Sequence, residues 1–267
     1  MPLAVCATPI GNLDDVTLRV LAELGAADVV LCEDTRHTRG LLQRHGIRAR
    51  LVSYHEHNEA KRSAELLPRL AAGERIALVS DAGMPGISDP GARLVAAALE
   101  AGIPVTVLPG PSAVDTALAA SGLASDRYQF LGFLPRGETA LAAVWSELRA
   151  WPFAAVAFES PQRLPGTLRS LAHADPERHV AVCRELTKVH EEIVRGTATE
   201  AAARFSEPPR GEITLVIGPG EPGRPDVDEA AAAVAELLAV GVPRRRAAEI
   251  VARLTGASRN ELYRRTL

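Results

Sequence analysis

The chain has 267 residues, of which 47% are hydrophobic and 24% charged, so it can form one large or two medium-sized domains and is not disordered over most of its length. Its 30 basic and 33 acidic residues give a formal net charge of −3 at pH 7, which excludes a uniformly basic protein. Three scattered cysteines exclude a disulfide framework, and no apolar run reaches the roughly 18 to 20 residues that cross a bilayer, so we expect a cytoplasmic protein.

Short apolar runs in the first part of the chain predict strands. They occupy residues 3–7, 28–32, 75–79 and 104–108. Their hydrophobicity is nearly continuous rather than alternating, which favours strands covered on both faces. Apolar residues at helical spacing separate them, as at Val20 and Leu24. This alternation predicts an N-terminal α/β domain over residues 1–121, built on a mostly parallel sheet.

A second group of apolar runs predicts another α/β domain over residues 122–222. The runs are residues 127–133, 153–160, 179–186, 191–196 and 212–218. They lie closer together and some alternate, which favours antiparallel pairing and hence a mixed sheet. A Gly- and Pro-rich stretch from Gly218 to Asp226 follows and predicts a linker.

The remaining residues, 223–267, predict a small helical tail. One helix begins at Pro243, a favoured first-turn residue, and ends before Gly256. Its apolar face is predicted to comprise Ala247, Ile250, Val251 and Leu254. A second helix opens at Ser258, with Glu261 at the spacing of a capping box. Together they are similar to a helix-turn-helix.

The tail is basic although the whole chain is not. From Gly241 onward, seven arginines and two glutamates give a net charge of +5, which leaves an acidic body. Arg244, Arg245 and Arg246 occupy the first helical turn. This is the positive end of the helix dipole, where cations destabilise the helix. With the free N–H groups there they form a candidate phosphate site; the alternative is a solvated basic helix end.

Three loops that follow predicted strands are rich in Gly, Pro, Asp and Ser. They are residues 7–15 (ATPIGNLDD), 80–91 (SDAGMPGISDPG) and 108–115 (LPGPSAVD). The carboxyl ends of parallel strands are where open α/β sheets bind ligands, so these loops predict a single crevice. None contains GxxxxGK or GxGxxG, which counts against a P-loop nucleotide site and a dinucleotide site.

Six motifs together resemble the rRNA-methylating branch of the tetrapyrrole methylase family. They are PIGNLDDVTLRVLAELGAADVVLCEDTRHTRGLL, SDAGMPGISDPG, LPGPSA, FLPR, FESPQRL and CRELTKVHEEIVRGT. The resemblance implies two α/β domains in a homodimer, with S-adenosylmethionine as methyl donor in the cleft between them. The expected reaction is 2′-O-methylation of a cytidine ribose in the decoding centre of 16S rRNA, on the 30S subunit.

The resemblance also assigns donor-binding residues. They are Pro9, Ser80, Asp81, Ala82, Gly83, Ile87, Ser112, Ala113, Glu159 and Leu186. Met84 and Gly86 depart from the family, whose members often have a hydroxyl and an aliphatic residue there. On physical grounds, the N–H groups of Ser112 and Ala113 at a helix start suit the donor carboxylate. Asp81 suits a ribose hydroxyl or the donor ammonium.

A ribose hydroxyl is a weak nucleophile, so a base or a nearby cation would assist its attack. Candidates at loop ends are Glu33, Asp34, Glu159, Glu185 and Lys188, of which we favour Lys188 and Asp34. Lys188 stands out because lysine is rare in this chain, although an exposed loop lysine is the alternative. Asp34 has an alternative role as the cap of the helix that follows it.

Basic residues near the crevice and in the tail are candidates for contacts with rRNA phosphates. They are Arg36, Arg39, Arg136 and Arg163 near the crevice, and Arg244, Arg245, Arg246 and Arg259 in the tail. Each has the alternative of a solvated side chain or a structural ion pair. His55 and His57 with Glu56 and Glu59 could ligate a metal, but a helix entry from Asn58 explains them more simply, so we expect no metal.

Two other functions stay open from the sequence. The same architecture could methylate a tetrapyrrole in sirohaem or cobalamin synthesis, although the basic tail and the 80–91 loop count against this, because that branch would have a loop closer to GDPxxFG. The chain could instead be a non-enzymatic nucleic-acid-binding protein that uses the tail, although the three loops look intact.

Overall fold

The computed structural model describes residues 2–220 and 227–266. The first sheet contains five parallel strands in the order β3-β2-β4-β1-β5. They are β1 (Leu3–Cys6), β2 (Val29–Cys32), β3 (Leu51–Ser53), β4 (Ile76–Leu78) and β5 (Val105–Leu108). The helices that connect or follow them are α1 (Leu18–Ala26), α2 (Thr35–Arg44), α3 (Glu59–Ala71), α4 (Ala92–Glu100) and α5 (Ala113–Ser121). The predicted parallel sheet is confirmed.

The central strands of this sheet are covered on both faces, as their continuous apolar runs predict. Every residue of β1, β2 and β4 is buried. Strand β5 differs, because it is an edge strand, and Val107 is 54% exposed. The prediction that residues 104–108 are covered on both faces was therefore wrong. Strand β3 was not predicted; it has three half-buried residues, too few to give a clear hydrophobic pattern.

The second sheet is mixed, as predicted. Its order is β6-β7-β10-β8-β9, with β6 and β7 parallel and the other neighbours antiparallel. The strands are β6 (Tyr128–Phe133), β7 (Ala154–Glu159), β8 (His179–Arg184), β9 (Glu192–Thr197) and β10 (Ile213–Ile217). The helices among them are α6 (Glu138–Arg149), α7 (Leu164–Ala174) and α8 (Ala198–Arg204).

Helix α5 follows the last strand of the first sheet but packs against the second. Its Val114, Ala117 and Leu118 belong to one buried cluster with Val156 of β7 and Val216 of β10. The division of the chain at residue 121 stays a prediction, and its second boundary, at residue 222, lies outside the described residues, as does most of the predicted linker. Helix α5 therefore continues the chain from the first sheet but contributes its buried side chains to the core beside the second.

The described part of the tail, residues 227–266, contains three helices, α9 (Val227–Ala239), α10 (Arg244–Thr255) and α11 (Arg259–Arg265). Helix α10 begins one residue after the predicted start, with Pro243 at the N-cap position, and Gly256 ends it in the left-handed region at φ 77°, as predicted. Ser258 caps α11 by accepting from the Glu261 N–H. Leu254 was wrongly assigned to the buried face: it is 76% exposed, and Ala248 lies in the core instead. No described helix has the length and hydropathy needed to cross a bilayer.

Candidate functional site

The predicted crevice is confirmed, because the loops after β1, β4 and β5 meet at one end of the first sheet. The Thr8 N–H donates to the Gly83 carbonyl (2.8 Å), and the Gly83 N–H donates to the Thr8 carbonyl (3.0 Å). The loop after β5 approaches as closely: a β-carbon at Gly110 would lie 2.9 Å from Cβ of Ala7. Glycine is therefore needed at residue 110 for these two loops to touch.

A cavity of about 390 Å³ opens between these loops and the second sheet. Eight of the ten predicted donor residues line it, namely Asp81, Ala82, Gly83, Ile87, Ser112, Ala113, Glu159 and Leu186. Pro9 and Ser80 do not line it. Pro9 is buried beside Ile10, which forms part of the wall, and the Ser80 hydroxyl lies within hydrogen-bonding distance of the carbonyl oxygens of Ala82 and Gly83, inside its own loop.

One part of the cavity wall is apolar. It includes Ile10, Leu186 and two aromatic residues that the sequence did not single out, Phe133 and Phe158, whose rings lie 5.5 Å apart between centroids. Phe133 is 63% exposed. An apolar slot edged by aromatic rings suits a planar heterocycle such as adenine.

The other part is acidic, with Asp81, Asp89 and Glu212 in the wall, and the charge of Glu33 also acts on Asp89. The pKa of Asp89 is raised to about 6 by burial and by the charges of Glu33 and Asp81. A hydrogen bond with Ser80 lowers the pKa, but only in part. Burial and the charge of Asp81 also raise the pKa of Glu33. Asp89 lies inside the loop that the sequence marked, but the sequence did not single it out, because its burial depends on residues distant in the chain.

Asp34 caps a helix, which was the alternative to the catalytic role considered for it from the sequence. It caps α2, and its carboxylate accepts from the Arg36 N–H (2.8 Å) and pairs with the Arg36 guanidinium (3.0 Å). These hydrogen bonds hold the pKa of Asp34 near 2, which makes its carboxylate a weak base. Its own N–H donates to Asp81 Oδ1 (3.0 Å). Asp34 therefore positions Asp81 on the cavity wall.

Lys188 is a paired cation rather than an exposed loop lysine, and it does not itself line the cavity, although its partner Glu212 does. Its Nζ lies 2.9 Å from Glu185 Oε1 and 3.1 Å from Glu212 Oε2. Burial alone would lower the pKa of Lys188, but the hydrogen bonds to Glu185 and Glu212 raise it, so the side chain stays an ammonium at neutral pH. A β-carbon at Gly11 would lie 2.5 Å from Lys188 Cγ, so Lys188 contacts the first loop.

Glu159 is a buried carboxylate held by three partners. Its oxygens accept from Thr167 Oγ1 (2.6 Å) and the Ser160 N–H (2.7 Å), and one lies 3.3 Å from the Arg163 guanidinium. Arg163 also donates to the carbonyl of Pro135. Arg163 thus forms the structural ion pair that was the alternative to an rRNA contact, and Glu159 fixes one wall of the cavity.

We expect Glu159→Ala to lower the free energy of unfolding by about 2 to 3 kcal/mol, because it removes the acceptor of the buried Thr167 hydroxyl and the carboxylate that pairs with Arg163. This loss of stability is smaller than that expected for a fully buried ion pair, because the Arg163 side chain remains partly solvated. Urea unfolding measures it. Glu159→Gln keeps a hydrogen-bond acceptor and should lose less; equal stability of Glu159→Ala and the parent chain would contradict the structural role.

The remaining basic candidates are exposed or only loosely paired. Arg39 and Arg136 are exposed, and Arg36 is exposed apart from its contact with Asp34. In the tail, Arg245, Arg246 and Arg259 share Glu249 at 3.5 to 3.7 Å. Arg244 is partly buried, and its Nε finds no hydrogen-bond partner within the described structure.

The His55 and His57 segment enters α3, as the simpler interpretation predicted. Asn58 stands at the helix cap, and its side-chain oxygen accepts from the His55 N–H (3.0 Å). Glu59 accepts from the Tyr54 hydroxyl (3.1 Å) and from the Gly91 N–H (3.0 Å). Across residues 2–220 and 227–266, no group of three or more His, Cys, Asp or Glu side chains could hold a metal ion.

Comparison with known proteins identifies the family to which this chain belongs. The family model for Tetrapyrrole (Corrin/Porphyrin) Methylases matches residues 2–202, and the model for the RsmI C-terminal HTH domain matches residues 224–267. A Mesorhizobium japonicum protein called ribosomal RNA small subunit methyltransferase I is 45% identical over 99% of this chain and 91% of its own length. The chain belongs to this branch of the tetrapyrrole methylase family.

Other relatives agree with this family. Proteins of the same name from Synechocystis and Escherichia coli O157:H7 are 44% and 41% identical, each over 99% of this chain and over 97% and 94% of their own lengths. A uroporphyrin-III C-methyltransferase structure from Thermus thermophilus superposes with a TM-score of 0.57 at 23% identity, covering 81% of this chain and 93% of that one. CobJ superposes with a TM-score of 0.61 at 21% identity, covering 81% and 93%. These structural neighbours establish the tetrapyrrole methylase fold.

Proposed function

We propose that the chain is an S-adenosylmethionine-dependent methyltransferase that methylates the ribose 2′-hydroxyl of a cytidine in the decoding centre of 16S rRNA, within the 30S subunit. The observation that carries this is the interdomain cavity, which most of the predicted donor residues line, in a chain whose full-length relatives are named for rRNA methylation. The basic tail supports a nucleic-acid substrate over a tetrapyrrole, and a cytoplasmic location goes with the 30S substrate.

S-adenosylmethionine is the methyl donor, and the cavity fits its three parts. At the start of α5, the first N–H groups have no intrahelical acceptor, and Ala113 and Val114 line the cavity, so they can bind the donor carboxylate. The acidic wall suits the ammonium and sulfonium groups, and the apolar wall with Phe158 suits adenine. When bound, the donor supplies an electrophilic methyl group on a leaving group that is already good.

The residues of this chain supply alignment and proton transfer. We assign Asp89 as the base that accepts the proton of the 2′-hydroxyl as the new O–C bond forms. Lys188 remains an ammonium, so its catalytic contribution is electrostatic: it stabilises negative charge on the attacking oxygen or a neighbouring phosphate. Asp34 acts through Asp81 as a positioning residue.

The RNA contacts divide between body and tail. Arg36 and Arg136 are exposed on the body, while Arg245, Arg246 and Arg259 are exposed on the tail beside Arg244. We assign all six to phosphates of the substrate, which would orient the chain on the 30S subunit without reading sequence. We also propose a homodimer, supported by exposed apolar side chains such as Val107 on the edge strand β5; sedimentation velocity tests it.

The deciding experiment offers labelled S-adenosylmethionine with 30S subunits, naked 16S rRNA or a porphyrinogen. Label on a cytidine 2′-hydroxyl in the 30S sample supports the proposal. Label on the porphyrinogen would indicate the tetrapyrrole reaction, and donor binding without transfer to any acceptor would contradict an enzymatic role.

We expect deletion of residues 223–267 to lower kcat/KM for 30S methylation by about tenfold or more, because the tail supplies several phosphate contacts. Donor affinity, measured by calorimetry, should stay within about twofold, since the donor cavity is lined by residues of the body. Circular dichroism confirms folding of the truncated chain. Loss of donor binding in a folded truncation would contradict this division of roles.

A further inference from the structure

A groove in the tail is lined by positively charged and aromatic side chains. It lies beside α10 and α11, has a volume of about 560 Å³, and is lined by Arg245, Arg259, Asn260, Tyr263 and Arg264. No carboxylate contributes to its lining in the described chain. Three guanidinium groups around one opening favour a polyanionic ligand.

The charge of this groove is not neutralised by its surroundings. Among the described residues, Glu249 is the carboxylate that pairs with the groove's arginines, and its single charge is shared by Arg245, Arg246 and Arg259 at 3.5 to 3.7 Å. Such long, exposed pairs contribute little. The Arg264 Nε donates to the carbonyl of Asn260 (3.3 Å), and its guanidinium meets no carboxylate within the described residues. A surplus of positive charge therefore faces solvent.

Tyr263 presents an aromatic ring to this groove although the tail core does not use it. Its neighbour Leu262 is fully buried in the core of the tail, whereas Tyr263 is 42% exposed. Its hydroxyl makes no hydrogen bond within the described structure, unlike that of Tyr128, which donates to Asp115 (3.0 Å). An exposed ring among guanidinium groups is the arrangement on which nucleic-acid bases stack.

Helix α11, which carries Tyr263, is poorly suited to insertion into a duplex groove. Helix α11 has seven residues, so it extends only about 10 Å. The major groove of A-form RNA is deep and narrow, and side chains do not read it. Unpaired nucleotides, by contrast, expose both base faces and phosphates to such a surface.

We propose that the tail groove binds an unpaired RNA segment, with one base stacked on Tyr263 and the flanking phosphates held by Arg245, Arg259 and Arg264. The proposal rests on the rRNA substrate put forward above and names the form of RNA that the tail recognises. It gives the tail a preference for single-stranded RNA over duplex RNA.

The test compares binding of a labelled single-stranded RNA and of its duplex to the full chain. Wild type should bind the single strand more tightly, and Tyr263→Ala should weaken that binding about 5- to 150-fold. Tyr263→Phe keeps the ring and should retain the affinity. Leu254→Ala, which truncates an exposed apolar residue elsewhere in the tail, is the matched control and should bind as wild type does.

The salt dependence of RNA binding distinguishes base stacking from phosphate contacts. Arg264→Gln should reduce the slope of log affinity against log salt by about 0.7, the contribution of one phosphate contact on a single strand, whereas Tyr263→Ala should leave it unchanged. Equal binding of single strand and duplex by wild type, or unchanged affinity in Tyr263→Ala, would overturn the proposal. Because no methyl transfer is measured, failure of the methylation assay with these results intact would overturn the enzymatic function alone.

Discussion

Ser112→Arg is expected to abolish measurable binding of S-adenosylmethionine while the chain stays folded. Ser112 lines the donor cavity at the start of α5, and an arginine there would occupy much of a space of about 390 Å³. Isothermal titration calorimetry measures the affinity, and circular dichroism reports on folding.

The control for this variant is Ser112→Ala. Both substitutions remove the hydroxyl that accepts from the Asp115 N–H, a helix cap worth about 1 kcal/mol of stability. Only arginine fills the cavity, so Ser112→Ala should bind the donor nearly as well as wild type. Wild-type affinity in Ser112→Arg would move the donor site away from α5.

Asp89→Asn is expected to lower kcat for 30S methylation by about 100-fold or more, because it removes the proposed proton acceptor. The base must be deprotonated to act, so the wild-type rate should fall as the pH drops through about 6, the pKa of Asp89. The variant should lack this inflection. Single-turnover methylation across this pH range measures both effects.

Stability provides an independent check on Asp89. Burial raises its pKa above the value in the unfolded chain, so the folded state binds the proton more tightly and is destabilised at neutral pH, where the carboxylate is charged. That cost falls as the pH drops through about 6. Asp89→Asn should therefore melt no lower than wild type at neutral pH, which separates lost catalysis from lost folding.

The exposed Asp126 provides the matched control, because Asp126→Asn makes the same chemical change outside the cavity and should keep the activity and the pH profile of wild type. A variant of Asp89 with wild-type kcat and the same inflection near pH 6 would exclude it as the base.

Patterns confined to neighbouring residues predicted the fold well. The buried central strands, the mixed second sheet and the caps of the tail helices follow from hydrophobic runs and capping residues. Short or edge elements were less predictable: β3 has only three residues, and the apolar run of β5 does not report that this strand lies at the edge of the sheet. Leu254 fits the helical period, but the small tail core is completed by alanines.

The sequence predicted which loops form the cavity, but it did not predict the chemical properties of the individual side chains there. The glycines and prolines of residues 80–91 marked the ligand loop. The properties of Asp89 and Lys188 arise from contacts with residues far along the chain, such as Glu33 and Glu212. Asp34 illustrates the converse, because its carboxylate accepts hydrogen bonds from Arg36, two residues away, and its capping role could be anticipated locally.

The position of α5 has a consequence for the cohesion of the molecule. This helix packs on the second sheet, whereas the loop containing Asp81 and Gly83 is fixed to the first. A donor held at both places is attached to each half of the body, so its binding free energy opposes their separation. At the proposed site the methyl donor would thus act as a non-covalent crosslink, and the donor-bound chain should resist separation of the two sheets more strongly than the donor-free chain.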